Sequence, residues 1–308
     1  MPIADRILVT GGAGFIGSHL IDKVLPEGYE VVILDNLSTG KLSNIRQHLE
    51  NKNMKFIRGD ITDPSIVKKS LVGCNAVVHL ASSTDVIQSF ENPLLVNHVN
   101  VSGTLNLLKE ALANDIKKFV FASSSAVYGD SLPPWKEDMI ARPISPYGVS
   151  KLAAEHYCLI FAKTYRLPVI ILRFFNVYGK RMKSANEASV ISSFIEKIRN
   201  KQTVTIYGDG KQTRDFLHVN DAVDAILLAM QNNDCINEIY NIGTGKPASI
   251  NHLFDILKNI TGVNVKVRRV KARRGEIRHS YANISKARKE LHYRPKFVLK
   301  SGLRDLLT

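Results

Sequence analysis

Cysteine is scarce in this 308-residue chain: Cys74, Cys158 and Cys235 stand far apart and form no CxxC pair. That excludes a disulfide framework and a zinc ribbon and leaves three small core thiols. Tryptophan occurs once. Apolar runs are short, and none approaches the roughly 18–20 residues of a membrane helix. There are no internal repeats, low-complexity stretches or exposed linkers. Met1–Arg6 runs straight into an apolar segment without the layout of a secretory leader, so a cytoplasmic location is expected. Acidic residues are also few, 28 Asp and Glu against 42 Lys and Arg, for a net charge of +14. Fourteen basic residues lie between Lys266 and Arg304, opposed there by Glu276 and Glu290. Such an excess favours phosphate-bearing partners, whether a nucleotide, a nucleic acid or an anionic surface. A solvated basic face without a partner accounts for the charge equally well.

What is present is an ordinary globular balance, 44% hydrophobic and 23% charged. The length allows one large domain or two closely packed ones. In the first half, short apolar runs alternate with helical patterns. The runs predict strands at Ile3–Val9, Glu30–Leu34, Lys55–Ile57, Ala76–His79, Lys118–Ala122 and Val169–Leu172. The patterns between them predict helices at Phe15–Leu25, Pro64–Leu71, Pro93–Leu112 and Tyr147–Thr164. This alternation implies an α/β fold with a parallel sheet covered on both faces. The second half is more mixed. Helices are expected at Ala188–Arg199, Asp221–Gln231 and Asn251–Ile260, and strands at Val204–Tyr207, Glu238–Ile242 and Val263–Val267. The second region should pack directly on the first and leave a cleft.

The first strand ends in Thr10-Gly11-Gly12-Ala13-Gly14-Phe15-Ile16-Gly17, and a helix follows. Gly11, Gly14 and Gly17 form a GxxGxxG spacing that lets the backbone turn sharply and approach a pyrophosphate. The helix start offers N–H groups and a partial positive charge to that anion. Asp35 ends the second strand eighteen residues past Gly17, where its carboxylate can accept bonds from ribose hydroxyls. A carboxylate there repels a 2′-phosphate, so NAD is expected rather than NADP. The fold class that follows is a Rossmann-type doubly wound parallel sheet with a smaller mixed α/β substrate-binding domain packed on it. Residues 1–174 would bind the dinucleotide. Residues 175–308 would mainly bind substrate, with segments returning to the first domain.

Tyr147 and Lys151 are four apart on a predicted helix and share a face. A neighbouring ammonium lowers the pKa of a phenol, and an oxidised nicotinamide would lower it further, giving a base usable near neutral pH. Ser123-Ser124-Ser125 follows the fifth strand at the carboxyl edge of the sheet, where ligands bind in such folds. A serine hydroxyl can hold the substrate oxygen in line. Together these groups describe alcohol oxidation by hydride transfer.

At this point the chain resembles the extended short-chain dehydrogenase/reductases, and within them the UDP-glucose 4-epimerase-like enzymes. The matching segments run through the whole chain. They are TGGAGFIGSH from Thr10, LDNLSTG from Leu34, the Gly59–Asp60 pair, HLA from His79, NVSGT from Asn100, SSSAVYG from Ser123 and SPYGVSK from Ser145. LRFFNVYG from Leu172, IYGDGKQTRDFLHVND from Ile206 and YNIGTG from Tyr240 complete the set.

The resemblance implies that Tyr147 is the base, Lys151 its electrostatic partner and a ligand of the nicotinamide ribose, and Ser124 the third catalytic residue. Ser124, not the adjacent Ser123, lies four residues before Tyr128 as the family pattern requires. It implies NAD contacts from Phe15, Ile16, Asn36, Ser38, Thr39, Gly40, Asp60, Ile61, Leu80, Ala81, Ser82, Thr84, Asn100, Ser123 and Phe175. It implies a UDP-sugar site built from Ser124, Tyr147, Asn176, Ser189, Val190, Thr205, Ile206, Tyr207, Arg214, Arg273 and Ser280. An arginine suits a diphosphate because its fork grips it bidentately.

Departures from the relatives narrow the activity. Sugar dehydratases of this group carry an Asp-Glu pair after the catalytic hydroxyl, and uronate decarboxylases carry a Glu; here stand Ser125 and Ala126. UDP-glucuronate 4-epimerases commonly have Thr where this chain has Asn176. Ser280 falls where a bulky tyrosine limits the sugar pocket of some relatives, so N-acetylhexosamines should fit. Thr84 replaces a lysine that some relatives place near the cofactor, and weaker NAD retention is expected. The implied activity is a UDP-hexose 4-epimerase. The alternatives are a UDP-glucuronate 4-epimerase or another NAD-dependent nucleotide-sugar epimerase or dehydratase, and, outside enzymes, a basic RNA-binding relative of the fold. A homodimer through a four-helix bundle is expected, with no specific nucleic acid, membrane or metal partner.

Overall fold

The computed structural model describes residues 6–182, 189–272 and 277–307. The chain begins β1 (Arg6–Thr10), α1 (Phe15–Val24), β2 (Glu30–Asp35), β3 (Met54–Arg58), α2 (Pro64–Leu71) and β4 (Ala76–His79). It continues α3 (Val86–Glu91), α4 (Pro93–Asn97), α5 (Gly103–Ala113), β5 (Lys118–Ser124), α6 (Pro146–Tyr165), β6 (Val169–Phe174) and β7 (Asn176–Tyr178). Then follow α7 (Val190–Arg199), β8 (Val204–Tyr207), β9 (Thr213–Arg214), β10 (Phe216–His218), α8 (Val219–Gln231) and β11 (Glu238–Ile242). The last elements are β12 (Ala248–Ser249), α9 (Ile250–Thr261), β13 (Val267–Val270), β14 (His279–Ser280), α10 (Ser285–Glu290) and α11 (Leu299–Leu307).

The strands assemble into a seven-stranded sheet in the order β11-β6-β5-β4-β1-β2-β3, every pair parallel. Alternation within the strands explains why both faces are covered. Ile7, Val9, Val31, Ile33, Val78 and Ile170 pack to one side with α1 and α8. Leu8, Val32, Leu34, Val77, Phe119 and Ile171 pack to the other with α2, α5 and α6. Near-continuous apolar strands are what a sheet buried on both faces requires. The order reverses at β1, which lies between β4 and β2, and in such sheets the crevice at that point is the ligand site.

A second core joins α7, α9, β8, β10 and α11 through Phe194, Val204, Ile206, Leu253, Phe254 and Leu303. Three small sheets complete this region: β10-β7, β12-β9-β14 and β13-β8. β11 lies far along the chain yet forms the edge of the main sheet beside β6.

Caps account for the helix starts. Asp63 accepts from the N–H groups of Ser65 and Ile66, with Pro64 in the first turn of α2. Ser145 accepts from Gly148 N at 3.1 Å and starts α6 one residue before the predicted Tyr147, with Pro146 in the first turn. The helix predicted over Pro93–Leu112 is not uniform: a π-helical turn, His98–Ser102, separates α4 from α5. It coincides with Asn100, whose side chain is pulled into bonds outside the helix, and such turns cluster at functional sites. α3 was absent from the sequence expectation, although Asp85 caps it by accepting from Gln88 N at 2.9 Å. The strand expected at Val263–Val267 forms instead at Val267–Val270, where it pairs with β8, while Val263 and Val265 pack on the second core. Residues 3–5 and Ala188, included in predicted elements, lie outside the described residues.

Candidate active site

The glycine loop leaves β1 and enters α1 under tight constraints. Gly11 has φ +70°, and a Cβ there would stand 2.8 Å from the Ala81 amide nitrogen. A Cβ on Gly17 would stand 2.2 Å from the Gly11 carbonyl oxygen. No side chain caps Gly14, the residue preceding Phe15 and Ile16 at the start of α1. The loop therefore presents backbone rather than side chains to a ligand, which fits a pyrophosphate. Asp35, at the end of β2, accepts from Ala13 N at 3.0 Å and Leu37 N at 2.8 Å. Burial raises its pKa and those two N–H groups oppose the rise. A Cβ on Gly40 would stand 2.9 Å from the same carboxylate, so that glycine keeps the turn close to it.

Beside this carboxylate, the exposed Asn36 donates to Asp60 at 2.6 Å and accepts from Ser38 N at 2.9 Å. Asp60 also takes the N–H and hydroxyl of Thr62. Burial raises the Asp60 pKa, but these bonds outweigh it and hold the carboxyl below its usual range. Thr39 is exposed, whereas Ile61 is buried against Gly103.

Next to the glycine loop, a relay of hydrogen bonds fixes the floor of the crevice. Thr10 accepts from Ala81 N at 3.2 Å and lies 2.8 Å from His79 Nδ1. His79 Nε2 lies 2.9 Å from the Thr104 hydroxyl, which donates to the Asn100 carbonyl at 2.6 Å. Because Thr104 gives its proton to Asn100, the network assigns the His79 proton to Nε2 and leaves Nδ1 as acceptor. The Asn100 amide donates to Ser83 O and to Ser150 Oγ, both at 2.9 Å, and its oxygen accepts from Ser82 Oγ and Ser83 N. Leu80, Ala81 and Ser82 are thereby held against the loop, while Thr84 is exposed.

Stability should record this histidine. Burial, aided by the Lys151 ammonium, pushes the His79 pKa down to about 3 from 6.5. The unfolded chain then takes up the proton first as pH falls. The contribution is fully present above about pH 6.5 and is lost progressively down to about pH 3, on the order of 5 kcal/mol. Denaturant unfolding of wild type and His79→Gln between pH 7 and 4 should show a steeper decline for wild type; equal slopes would remove His79 as the source.

The Ser–Tyr–Lys set meets at the carboxyl end of β5 and the start of α6. The Ser124 hydroxyl acts on the Tyr147 phenol, favouring its ionised form, and accepts from Ala126 N at 3.2 Å. Ser123 instead donates to the Glu155 carboxylate. Tyr147 and Lys151 are both buried. Lys151 Nζ donates to Ser82 Oγ at 3.4 Å and stands 4.6 Å from the centre of the Phe121 ring. Burial pushes its pKa down to about 8, against the pull of Glu155. The sequence argument expected the ammonium to lower the Tyr147 pKa. Within the chain, burial dominates and raises it, with the Ser124 hydroxyl working in the opposite direction. Desolvation was the missing consideration.

The substrate candidates are spread over the end of β6 and over β7, α7, β8, β9 and β14. Phe175 is buried, donates its N–H to Ile242 O at 3.0 Å and packs 5.8 Å from Trp135. Asn176 is exposed, and its backbone N–H donates to Asp215 O at 3.1 Å. Arg214 and Ser280 are cross-strand neighbours in β9 and β14. Ser189 precedes α7, Val190 opens it, and Thr205, Ile206 and Tyr207 lie on β8. Ile206 is buried in the second core, so its side chain faces away from solvent. Arg273 lies outside the described residues. Sequence reasoning missed Asp215, although it sits in the quoted IYGDGKQTRDFLHVND segment. Its buried carboxylate accepts from Thr244 N, the Thr244 hydroxyl, Gly245 N and Ala282 N, joining three segments beside Arg214 and Ser280.

Fold and site together define a nicotinamide-dinucleotide enzyme acting at the carboxyl edge of a Rossmann sheet. Comparison with known proteins agrees: the chain belongs to the NAD dependent epimerase/dehydratase family, which matches residues 7–243. It is 44% identical over 304 residues to a putative UDP-glucose 4-epimerase of Methanocaldococcus jannaschii, covering 98% of this chain and 97% of that one. The UDP-glucose 4-epimerase of Thermotoga maritima, solved with UDP-glucose, superposes with a TM-score of 0.92 at 39% identity, covering 98% and 97% of the two chains. The UDP-glucuronic acid 4-epimerase of Bacillus cereus, solved with UDP-glucuronic acid and NAD, superposes equally well, at 35% identity and the same coverage. The cofactor is NAD, and the glycine loop and Asp35 suit it. Among the described residues, no helix is long and apolar enough to cross a membrane.

Proposed function

We propose that the chain is a UDP-hexose 4-epimerase that interconverts UDP-glucose and UDP-galactose. One observation carries this reading. Ser124 acts on a buried Tyr147 phenol, with a buried Lys151 one turn further along α6, while the positions after Ser124 are Ser125 and Ala126, which supply no acid or base for dehydration. Tyr147, held by Ser124, takes the proton of the sugar 4-hydroxyl, and Lys151 stabilises the phenolate. NAD, when bound, accepts the carbon-4 hydride and returns it, so the cycle is redox-neutral. Between the two transfers the 4-keto sugar turns about its link to the diphosphate. Arg214, Asn176 and Arg273 would anchor the UDP part, and remote binding of that kind orients the reacting ring. Proton NMR with UDP-galactose, with and without added NAD, tests the reading. Appearance of the gluco epimer is expected. Turnover of UDP-glucuronate alone would overturn the hexose assignment, and dependence on added NAD would match the exposed Thr84.

Ser280 extends the reading to UDP-GlcNAc and UDP-GalNAc. It is a small, buried side chain next to Arg214. Ser280→Tyr should lower turnover of the N-acetylated pair about 10-fold or more while sparing UDP-galactose, since a steric block of this kind acts on the larger group. Equal loss on both substrates would sink the steric argument.

A homodimer is part of the same proposal. Phe90 on α3, Leu94 and Leu95 on α4, and Tyr157 and Ile160 on α6 are exposed, Leu94 by 85%, and these helices pack on one another. An apolar patch of that kind on a surface marks an interface. Light scattering should give twice the chain mass, and a Leu94→Glu variant should shift it towards a single chain; a wild-type monomer would remove this part of the proposal.

A further inference from the structure

The face of α6 that carries Tyr147 and Lys151 continues, one turn on, to Glu155. Its carboxylate is 1% exposed and receives Arg173 Nε at 2.9 Å, Arg173 Nη2 at 2.7 Å and the Ser123 hydroxyl. Arg173 also donates to the Tyr128 hydroxyl at 2.9 Å, and Tyr128 donates to Asn241 at 2.7 Å. A buried ion pair is a poor device for stability alone, because apolar residues of similar volume often serve packing as well or better. This pair lies directly behind the catalytic set. Ser123 adjoins Ser124, Glu155 follows Lys151 by one turn, and Arg173 precedes Phe175 by two residues.

The groups around Lys151 give the pair a second task. From α6 come Tyr147, Glu155 and Cys158, whose thiol burial keeps protonated. From β4 comes His79, neutral and bonded at both nitrogens. From β5 comes the Phe121 ring, and from the loop after β4 the Ser82 hydroxyl. Glu155 is the carboxylate that acts on Lys151 among the described residues.

We propose that Glu155, fixed by Arg173 and Ser123, is a positioning residue that keeps Lys151 in its ammonium form and so sets the pH range in which Tyr147 serves as base. The proposal rests on the roles of Tyr147 and Lys151 in the proposed function. Burial already brings Lys151 down to about 8, so loss of the carboxylate would carry it towards neutrality. Each unit of decline leaves about tenfold less ammonium above the pKa.

Two variants test it. Glu155→Gln removes the charge but strands a buried guanidinium. Glu155→Met with Arg173→Met removes both charges and keeps apolar volume. Tyrosinate absorbance, taken as the difference between each variant and its own Tyr147→Phe version, reports Tyr147 ionisation without any substrate; because Tyr147 and Lys151 titrate as a pair, the value belongs to both. The expected result is a rise in that ionisation by about one pH unit, with kcat for UDP-galactose falling about 10-fold near pH 8, less near pH 6, and KM unchanged. A folded double variant with wild-type Tyr147 ionisation, or a loss of kcat equal at every pH, would overturn the proposal. Failure of both variants to fold would also overturn it, in favour of a purely structural pair. If wild type turns over no UDP-hexose yet the ionisation shifts as expected, the substrate reading fails and this one stands.

Discussion

Tyr147→Phe should lower turnover about 10²- to 10⁴-fold, the usual contribution of a positioned acid–base group. The substitution removes one oxygen from a side chain that is 8% exposed and leaves the ring in place. The Ser124 hydroxyl opposite it keeps its Ala126 N–H donor. Unfolding temperature and bound NAD should therefore stay close to wild type, and the loss should fall on kcat. Proton NMR of epimer formation, together with a thermal unfolding curve, checks both halves. A variant that keeps more than about a tenth of its activity would remove Tyr147 from the base role. A 10²- to 10⁴-fold loss corresponds to about 3–5 kcal/mol of transition-state stabilisation, about 1.4 kcal/mol for each factor of ten.

Gly17→Ala should weaken both NAD binding and the fold. A Cβ there would lie 2.2 Å from the Gly11 carbonyl oxygen and 2.7 Å from Gly12 Cα. Both neighbours are backbone, so no flexible side chain can give way. Helix α1 must move off the loop, which displaces the N–H groups aimed at the pyrophosphate. Overpacking of this kind costs about 1–3 kcal/mol in stability, and NAD affinity should fall at least about 100-fold. Gly14→Ala makes a graded control. Its φ is −77° and its nearest contact would be 3.0 Å, so a smaller loss is expected. Titration with NADH, followed by fluorescence, separates the two variants. Wild-type affinity in Gly17→Ala would show that the loop does not hold the dinucleotide.

Much of the architecture was legible from local pattern. Apolar runs separated by helices gave six of the seven strands of the main sheet, because strands buried on both faces carry little polar interruption. The seventh, Glu238–Ile242, was legible as a strand, but nothing in its own residues says that it pairs with β6. The π-helical turn at His98–Ser102 was hidden because Val96, Val99, Leu105, Leu108 and Leu112 recur at ordinary helical spacing. Its coincidence with the bonds of Asn100 is visible only in three dimensions.

The candidate site divides in the same way. GxxGxxG after a strand, an acid at the end of the next strand and a Tyr–Lys pair one turn apart are local patterns, and the sequence by itself determined them together with the fold class. The resemblance already pointed to Ser124 over Ser123; that Ser123 is turned to Glu155 instead was decided by the strand end of β5 meeting α6. The direction of the Tyr147 pKa shift was decided by burial, which depends on everything packed around the phenol. The Glu155–Arg173 pair and the Asp215 junction join residues 18 to 67 positions apart. Neighbours along the chain are set by covalent order and backbone preference. Desolvation and charge pairing are set by distance in space, which only the tertiary structure supplies.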